Sequence, residues 1–355
     1  MRRLSLFVLL TSLLLSACAP AAPAVGTPPE NQMQTLTVMT HDSFAVSKDV
    51  IAVFEQANHV KLSFLSSGDG GTALNKAILS KDAPLADVFY GVDNTFLSRA
   101  LAADIFEPYN SPLLADIPDA FKLDPQNRAL PVDYGDVCIN YDKAYFAEKD
   151  LPVPATLEAL TQPEYKGLLA VENPATSSPG LAFLLATIKH FGPDGYLAYW
   201  KQLRDNGVVV VDSWETAYYT NFSASSGKGP QPLVVSYASS PPAEVVFAET
   251  PLKDAPTASI VGPDTCFRQI EFVGILKGTR KRALAEKFVD FMLSLPFQED
   301  MPLQMFVYPV NKNAKLPDEF VKYAQVPQQP ASLDPAEIAA NREKWIADWT
   351  ATVLQ

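Results

Sequence analysis

Apolar residues along this chain recur in two periods, and segments of the two kinds take turns. Residues 34–39 (QTLTVM) read as a strand, and 48–57 carry Val50, Ile51, Val53 and Phe54 at helical spacing. Residues 60–65 form a second strand, 72–80 a helix, 86–90 (ADVFY) a third strand and 94–102 another helix. A βαβαβ opening implies a mostly parallel sheet covered by helices. Residues 129–141 are strand-rich, and a new α/β unit follows. It has strands at 168–171, 207–211 (GVVVV) and 233–237 (LVVSY), with helices at 181–190 and 214–221. A long strand at 267–276 leads to amphipathic helices at 280–295 and 337–352. This order predicts an α/β fold of two lobes that cross near 131–141 and 266–276. Lobe 1 takes residues 35–131 plus 266–311, and lobe 2 takes 132–265 plus 312–355.

The N-terminus breaks this pattern. Met1-Arg2-Arg3 precedes an apolar run from Leu4 to Leu15, interrupted only by Ser and Thr. The run falls short of the roughly 20 residues a membrane span needs, but it suits the core of a signal peptide. It ends in Leu15-Ser16-Ala17-Cys18. Small residues before a Cys resemble the bacterial lipoprotein box, in which the Cys is acylated. Residues 1–17 are therefore expected to be a signal peptide of the lipoprotein type. Residues 18–34 are then a lipidated Cys18 with a flexible Ala/Pro linker. No other run is long and apolar enough to span a membrane.

Charge narrows the class. The 355 residues carry 28 basic and 40 acidic side chains. Removing residues 1–17 takes away Arg2 and Arg3 and no acid, which leaves 26 basic against 40 acidic and a net of −14. A nucleic-acid partner is not expected, since such surfaces neutralise phosphates with clustered Lys and Arg. Besides Cys18 there are two Cys, Cys138 and Cys266, each in an apolar strand-like run. In an exported protein they are either a disulfide or two buried thiols. No metal site is expected, because no His or second Cys lies near either of them.

Enzymatic signatures are weak. There are three His, of which His59 and His190 read as surface residues, and no HExxH, GxSxG, Walker A or CxxC occurs. Gly68-Asp69-Gly70-Gly71-Thr72-Ala73 matches GxGxxA after a strand, with Asp87 farther on. Asp87 starts its strand, however, where a ribose-binding acid ends one, and Asp69 would meet a pyrophosphate with like charge. No cofactor is expected.

Four loops at strand ends look like one ligand site, as open α/β sheets provide. The first holds Asp69 and Gly70. The second, 173–180 (NPATSSPG), places Ser177 and Ser178 at a helix start, where Ser178 is the expected cap, Pro179 fits the first turn, and capping competes with ligand contact. The third is Asp212-Ser213-Trp214-Glu215, whose indole can stack on a flat or cationic ring. The fourth runs Ser236-Tyr237-Ala238-Ser239-Ser240-Pro241-Pro242. Asp42 after the first strand, and Phe306 and Tyr308 after the 280–295 helix, are further candidates. No nucleophile–base pair stands among them, which reads as binding rather than catalysis.

The segments HDSF (41–44), ADVFYGVDNTFL (86–97), DYG (133–135), NPATSSPGLAFLL (173–185), DSWETAY (212–218), LVVSYASSP (233–241), FQED…YPV (297–310) and PAEIAANREKWIADW (335–349) follow one order. In this they resemble the thiamine-binding proteins of bacterial ABC importers. The resemblance covers nearly all of the chain after the linker. It implies a two-lobed periplasmic-binding-protein-like type II fold with the ligand cleft between lobes. It also implies a monomer outside the cytoplasm, in the periplasm or at the cell surface, that hands thiamine, with or without phosphates, to an ABC permease. Carried over by position, the ligand contacts fall on Asp69, Gly70, Ser177, Ser178, Trp214, Tyr237, Ala238, Ser239 and Ser240, with Asp42, Phe306 and Tyr308 as softer candidates. The chain departs from the family at His41 and Phe306, where an aromatic and a Trp are common, and at Ala243, near which a ring is missing. Such departures leave room for a thiamine precursor as ligand. The tandem Tyr218-Tyr219 keeps ferric iron open as an alternative, and a thiaminase-like exported hydrolase is a further one.

Overall fold

The computed structural model describes residues 33–224 and 228–355, and residues 34–355 form one unit. The expected signal peptide, Cys18 and most of the linker lie outside the described residues.

Eleven strands, joined in one mixed sheet, carry the described chain: β1 Gln34–Thr40, β2 Val60–Ser66, β3 Val88–Asp93, β4 Phe106–Glu107, β5 Leu130–Asp142, β6 Leu169–Glu172, β7 Val209–Val211, β8 Leu233–Tyr237, β9 Thr257–Ile260, β10 Phe267–Leu276 and β11 Tyr308–Pro309. The main order is β2-β1-β3-β10-β5-β8-β6-β7. The expected parallel pairs are present at β1–β2, β1–β3, β6–β7 and β6–β8. Between those two parallel groups run antiparallel ladders through β10 and β5. β5 makes the connection, because its first half pairs with β10 and its second half, from Val137 on, with β8 and β9. β10 itself pairs antiparallel with β3, β4 and β5.

Helices cover the sheet for the reasons their sequences give. Lys48–Asn58 starts at Ser47, whose hydroxyl accepts the Val50 amide, and buries Phe54. Phe54 packs with Leu36, Val38, Phe288, Val289, Met292 and Phe297 in one core. Ser178–Phe191 is apolar on every side, so it is buried over its first eleven residues rather than along one stripe. Ser177 caps it, Pro179 fits its first turn and Gly192, at φ +75°, ends it. Trp200 and Trp349 meet edge to face at 5.4 Å in the same core as that helix.

Several elements differ from the sequence reading, which also did not include the short strands β4, β9 and β11 or the short helices Lys143–Glu148, Pro241–Val246 and Asp318–Tyr323. The single helix expected at 280–295 is two, Arg282–Leu293 and Leu295–Gln304, separated by Ser294 in extended backbone. The helix expected at 214–221 is one α-turn, Trp214–Thr216, followed by a π-turn, Ala217–Asn221. A helix at Tyr196–Asp205 was not read from the sequence. Cys138 and Cys266 are joined as a disulfide, fully buried, where the chain enters β10 beside β5.

Candidate functional site

Asp69 gathers the expected loops. It caps the helix Gly70–Leu79, and its Oδ1 accepts the Gly70 amide at 2.6 Å and the Ser178 amide at 3.1 Å. Its Oδ2 accepts the Trp214 amide at 2.9 Å. One carboxylate therefore ties the first, second and third loops together. Burial raises its pKa, and hydrogen bonds from Trp214, Ser177 and Ser178 partly oppose that rise.

The GxGxxA spacing has a different cause from the dinucleotide motif. Gly68 has φ +92°, which an L side chain rarely adopts. A Cβ on Gly70 would lie 2.2 Å from Ser178 Oγ, and one on Gly71 would lie 2.9 Å from the Thr176 carbonyl oxygen. The missing side chains let the NPATSSPG loop approach the helix start. Asp87 instead accepts the Thr37 amide and binds Lys281 at 3.0 Å.

A cavity of about 230 Å³ opens beside Asp69. Of the expected residues it is lined by Asp69, Gly70, Ser178, Trp214, Tyr237, Ser240 and Phe306. Trp214 is half-buried, stacks on Tyr218 at 5.0 Å and donates its indole N–H to Ser236 Oγ at 2.9 Å. Tyr237 donates to Gln269 Oε1 at 2.6 Å, and its ring lies over Gly135, where a Cβ would come within 2.7 Å. Ser240 Oγ is 2.9 Å from Ser236 Oγ. Phe306 takes a left-handed backbone at φ 54° and meets Phe247 edge to face at 5.5 Å.

The other expected residues do not line it. Ser177 Oγ accepts the Gly180 amide at the start of its own helix and hydrogen-bonds Asp69. Ala238 and Ser239 are buried in the turn after β8, with the Ala238 amide donating to the Asp136 carbonyl. Tyr308 is stacked on Tyr134 at 5.2 Å and packed against Phe320, behind the cavity wall. Asp42 is half-buried in the loop after β1, where its charge acts on His41 and Asp69.

Several lining residues were not expected as ligand contacts. Phe247 stands one helical turn beyond Ala243 and brings a ring to the region where the sequence lacked one. Tyr218 and Tyr219 line the cavity as part of the ring wall, and the Tyr218 hydroxyl donates to Glu244 at 2.6 Å. His41, Glu215 and Glu271 also line it. The only sequence signal for Glu271 was a single acid inside an apolar strand. Burial and Asp42 raise the Glu215 pKa. With Asp69, three carboxylates line the cavity, and no Lys or Arg appears among the described lining residues.

A wider, open depression of about 930 Å³ lies at Lys81, Asp87, Lys277, Arg280 and their neighbours. It has no aromatic residue among the described lining, and Lys277 and Lys281 are paired with Asp104 and Asp87. The smaller cavity, where loops, rings and acids converge, is the better candidate for specific recognition.

The chain is similar to known proteins over most of its length. The family model described as bacterial extracellular solute-binding protein matches residues 83–328. The thiamine-binding periplasmic protein of Escherichia coli (strain K12) is 31% identical over 347 residues, covering 96% of this chain and 99% of the relative. That of Brucella suis biovar 1 is 29% identical, covering 92% and 95%. A solved structure titled periplasmic thiamin binding protein aligns with TM-score 0.79 at 29% identity, covering 92% of this chain and 99% of the other. The α/β architecture is thus that of the type II periplasmic binding proteins, and the chain belongs to the bacterial extracellular solute-binding protein family.

Proposed function

We propose that this chain is the thiamine-binding component of an ABC importer and holds thiamine in the cavity between Asp69, Trp214, Tyr237 and Phe306. One observation carries the reading: the described lining combines a wall of rings with three carboxylates and has no Lys or Arg. Thiamine joins a permanently cationic thiazolium to a flat, hydrogen-bonding pyrimidine. Rings over a cation contribute about 0.5–2 kcal/mol each, more where water is excluded. The carboxylates add long-range attraction in a medium of low dielectric.

Asp69 gives its oxygens to chain amides, so it acts on the ligand through its charge and by holding the loops together. Lobes of residues 35–131 plus 266–311 and 132–265 plus 312–355 then close over the ligand, with Asp69 latching one to the other. Thiamine is favoured over its phosphates. The helix start at Ser177 and Ser178, which would suit an anion, already faces Asp69, and a phosphate there would meet a carboxylate. A monomer anchored through a lipid on Cys18 would deliver thiamine to a permease without turning it over. Cys138 and Cys266 are bonded to each other and offer no thiol nucleophile for a hydrolase. Ferric iron is the weaker reading, since the Tyr218 hydroxyl is engaged by Glu244 and its ring by Trp214.

Tryptophan fluorescence tests the reading. Thiamine should change the emission of the wild-type protein saturably, and Trp214→Phe should remove most of that change. A saturable signal that Trp214→Phe leaves intact would place the ligand elsewhere.

A further inference from the structure

We propose that Glu271 and Asp133 form a proton-holding floor under the cavity, and that a cation entering it displaces a proton from this pair, so that ligand capture is linked to proton release. The inference rests on the thiamine reading and deepens it by naming Glu271 as the residue that senses the ligand's charge.

The geometry is a buried cluster of acids. Glu271 of β10 stands opposite Asp133 of β5 in the ladder. Tyr90 Oη lies 2.6 Å from Asp133 Oδ2 and 3.0 Å from Glu271 Oε2. The single phenol proton cannot serve both carboxylates at once. Two like charges so close do not both ionise readily, so the pair retains a proton and titrates as a unit. Asp133 is fully buried behind, whereas Glu271 reaches the cavity.

The groups that face Glu271 come from every packed element. They are Asp93 and Tyr90 of β3, Asp133 of β5, Asp69 at its helix start, Tyr237 of β8 and His41 after β1. His41 Nε2 is 3.6 Å from Glu271 Oε1, and His41 Nδ1 is 3.0 Å from Ser43 Oγ. The charges of Asp69, Asp133, Asp42 and Glu215 act on His41. None of these residues is Lys or Arg. Burial, then the Asp93 charge, pushes Glu271 up to about 7, and burial drives Asp133 well above the usual carboxylate range. Burial also lowers the His41 pKa, which favours the neutral imidazole.

A cation on the cavity side stabilises the Glu271 carboxylate. One positive ligand enters, one proton passes to solvent, and no covalent bond in the ligand changes. The sign follows directly: as pH falls below about 7, protons compete for Glu271 and affinity declines. Protonating His41 at lower pH adds positive charge and moves affinity the same way.

Calorimetry of thiamine binding in buffers of different ionisation heat tests this with the folded wild-type protein. The expected result at pH 7 is release of roughly half a proton per thiamine, with affinity weakening roughly five- to tenfold from pH 8 to pH 6. Glu271→Gln should bring the proton count near zero and flatten the pH profile. His41→Asn should keep the linkage. Thiamine binding with buffer-independent heat and a flat profile would overturn this inference alone. No thiamine binding at all would remove the underlying reading, and the inference with it. Should circular dichroism show Glu271→Gln unfolded, the other two proteins decide: linkage lost in His41→Asn, or absent in the wild type, overturns the assignment to Glu271.

Discussion

Asp69 serves three backbone amides from three separate loops, and this makes it the residue on which the site's shape depends. Hydrogen bonds to a charged acceptor contribute about 1.5–3 kcal/mol each. Asn at this position would turn an N–H toward at least one of those donors, so Asp69→Asn should weaken thiamine binding at least tenfold, measured by calorimetry at neutral pH. Trp214→Ala should weaken it by roughly 10- to 100-fold, the range for truncating a buried aromatic anchor. Its melting transition should stay close to the wild type, because Trp214 is only half-buried. Gly70→Ala places a methyl 2.2 Å from Ser178 Oγ and should hinder the loops from meeting, which calorimetry would read as lost affinity in a folded protein. Asp69, Trp214 and Tyr237 were legible because each stands at or just after the end of a strand, beside small residues. Glu271 and Phe247 were not, since a lone acid in an apolar strand and an aromatic beyond a Pro-Pro turn gain meaning only from what the fold sets beside them.

At the scale of elements, local periodicity identified most of the strands, and the cap read at Ser178 falls one residue late, since Ser177 caps that helix and Ser178 is its first residue. Periodicity failed where tertiary contact decided. Leu284, Phe288 and Phe291 continue in helical spacing toward Phe297, yet Ser294 is extended and divides the run into two helices. The 214–221 turn is wound partly as a π-turn, and Trp214 and Tyr218, four residues apart along it, stack on one another. The disulfide was left open by sequence because strand pairing, not spacing, brings Cys138 and Cys266 together. It closes a separation of 128 residues. Replacing both Cys by Ser should lower the unfolding free energy by about 2–4 kcal/mol, as read by denaturant titration. An unchanged midpoint would mean that the bridge contributes nothing to stability.

The whole molecule is acidic, at a formal net charge of −12 over its full length, and most of its acids are solvated surface. The few to which the proposed reading gives a part in recognition are buried around the cavity: Asp69, Glu271 and Asp133, with Glu215 half-buried at its wall. If Cys18 carries the lipid, Cys18→Ala should move the protein from the membrane pellet to the soluble fraction on cell fractionation. The central claim is that the ring-and-carboxylate cavity binds thiamine. Calorimetric titration with thiamine and thiamine diphosphate tests it most directly. One thiamine per chain is expected, bound more tightly than about 100 µM, or about −5.5 kcal/mol, and more tightly than the diphosphate. Thiamine binding weaker than about 100 µM, or no heat of binding, would contradict it.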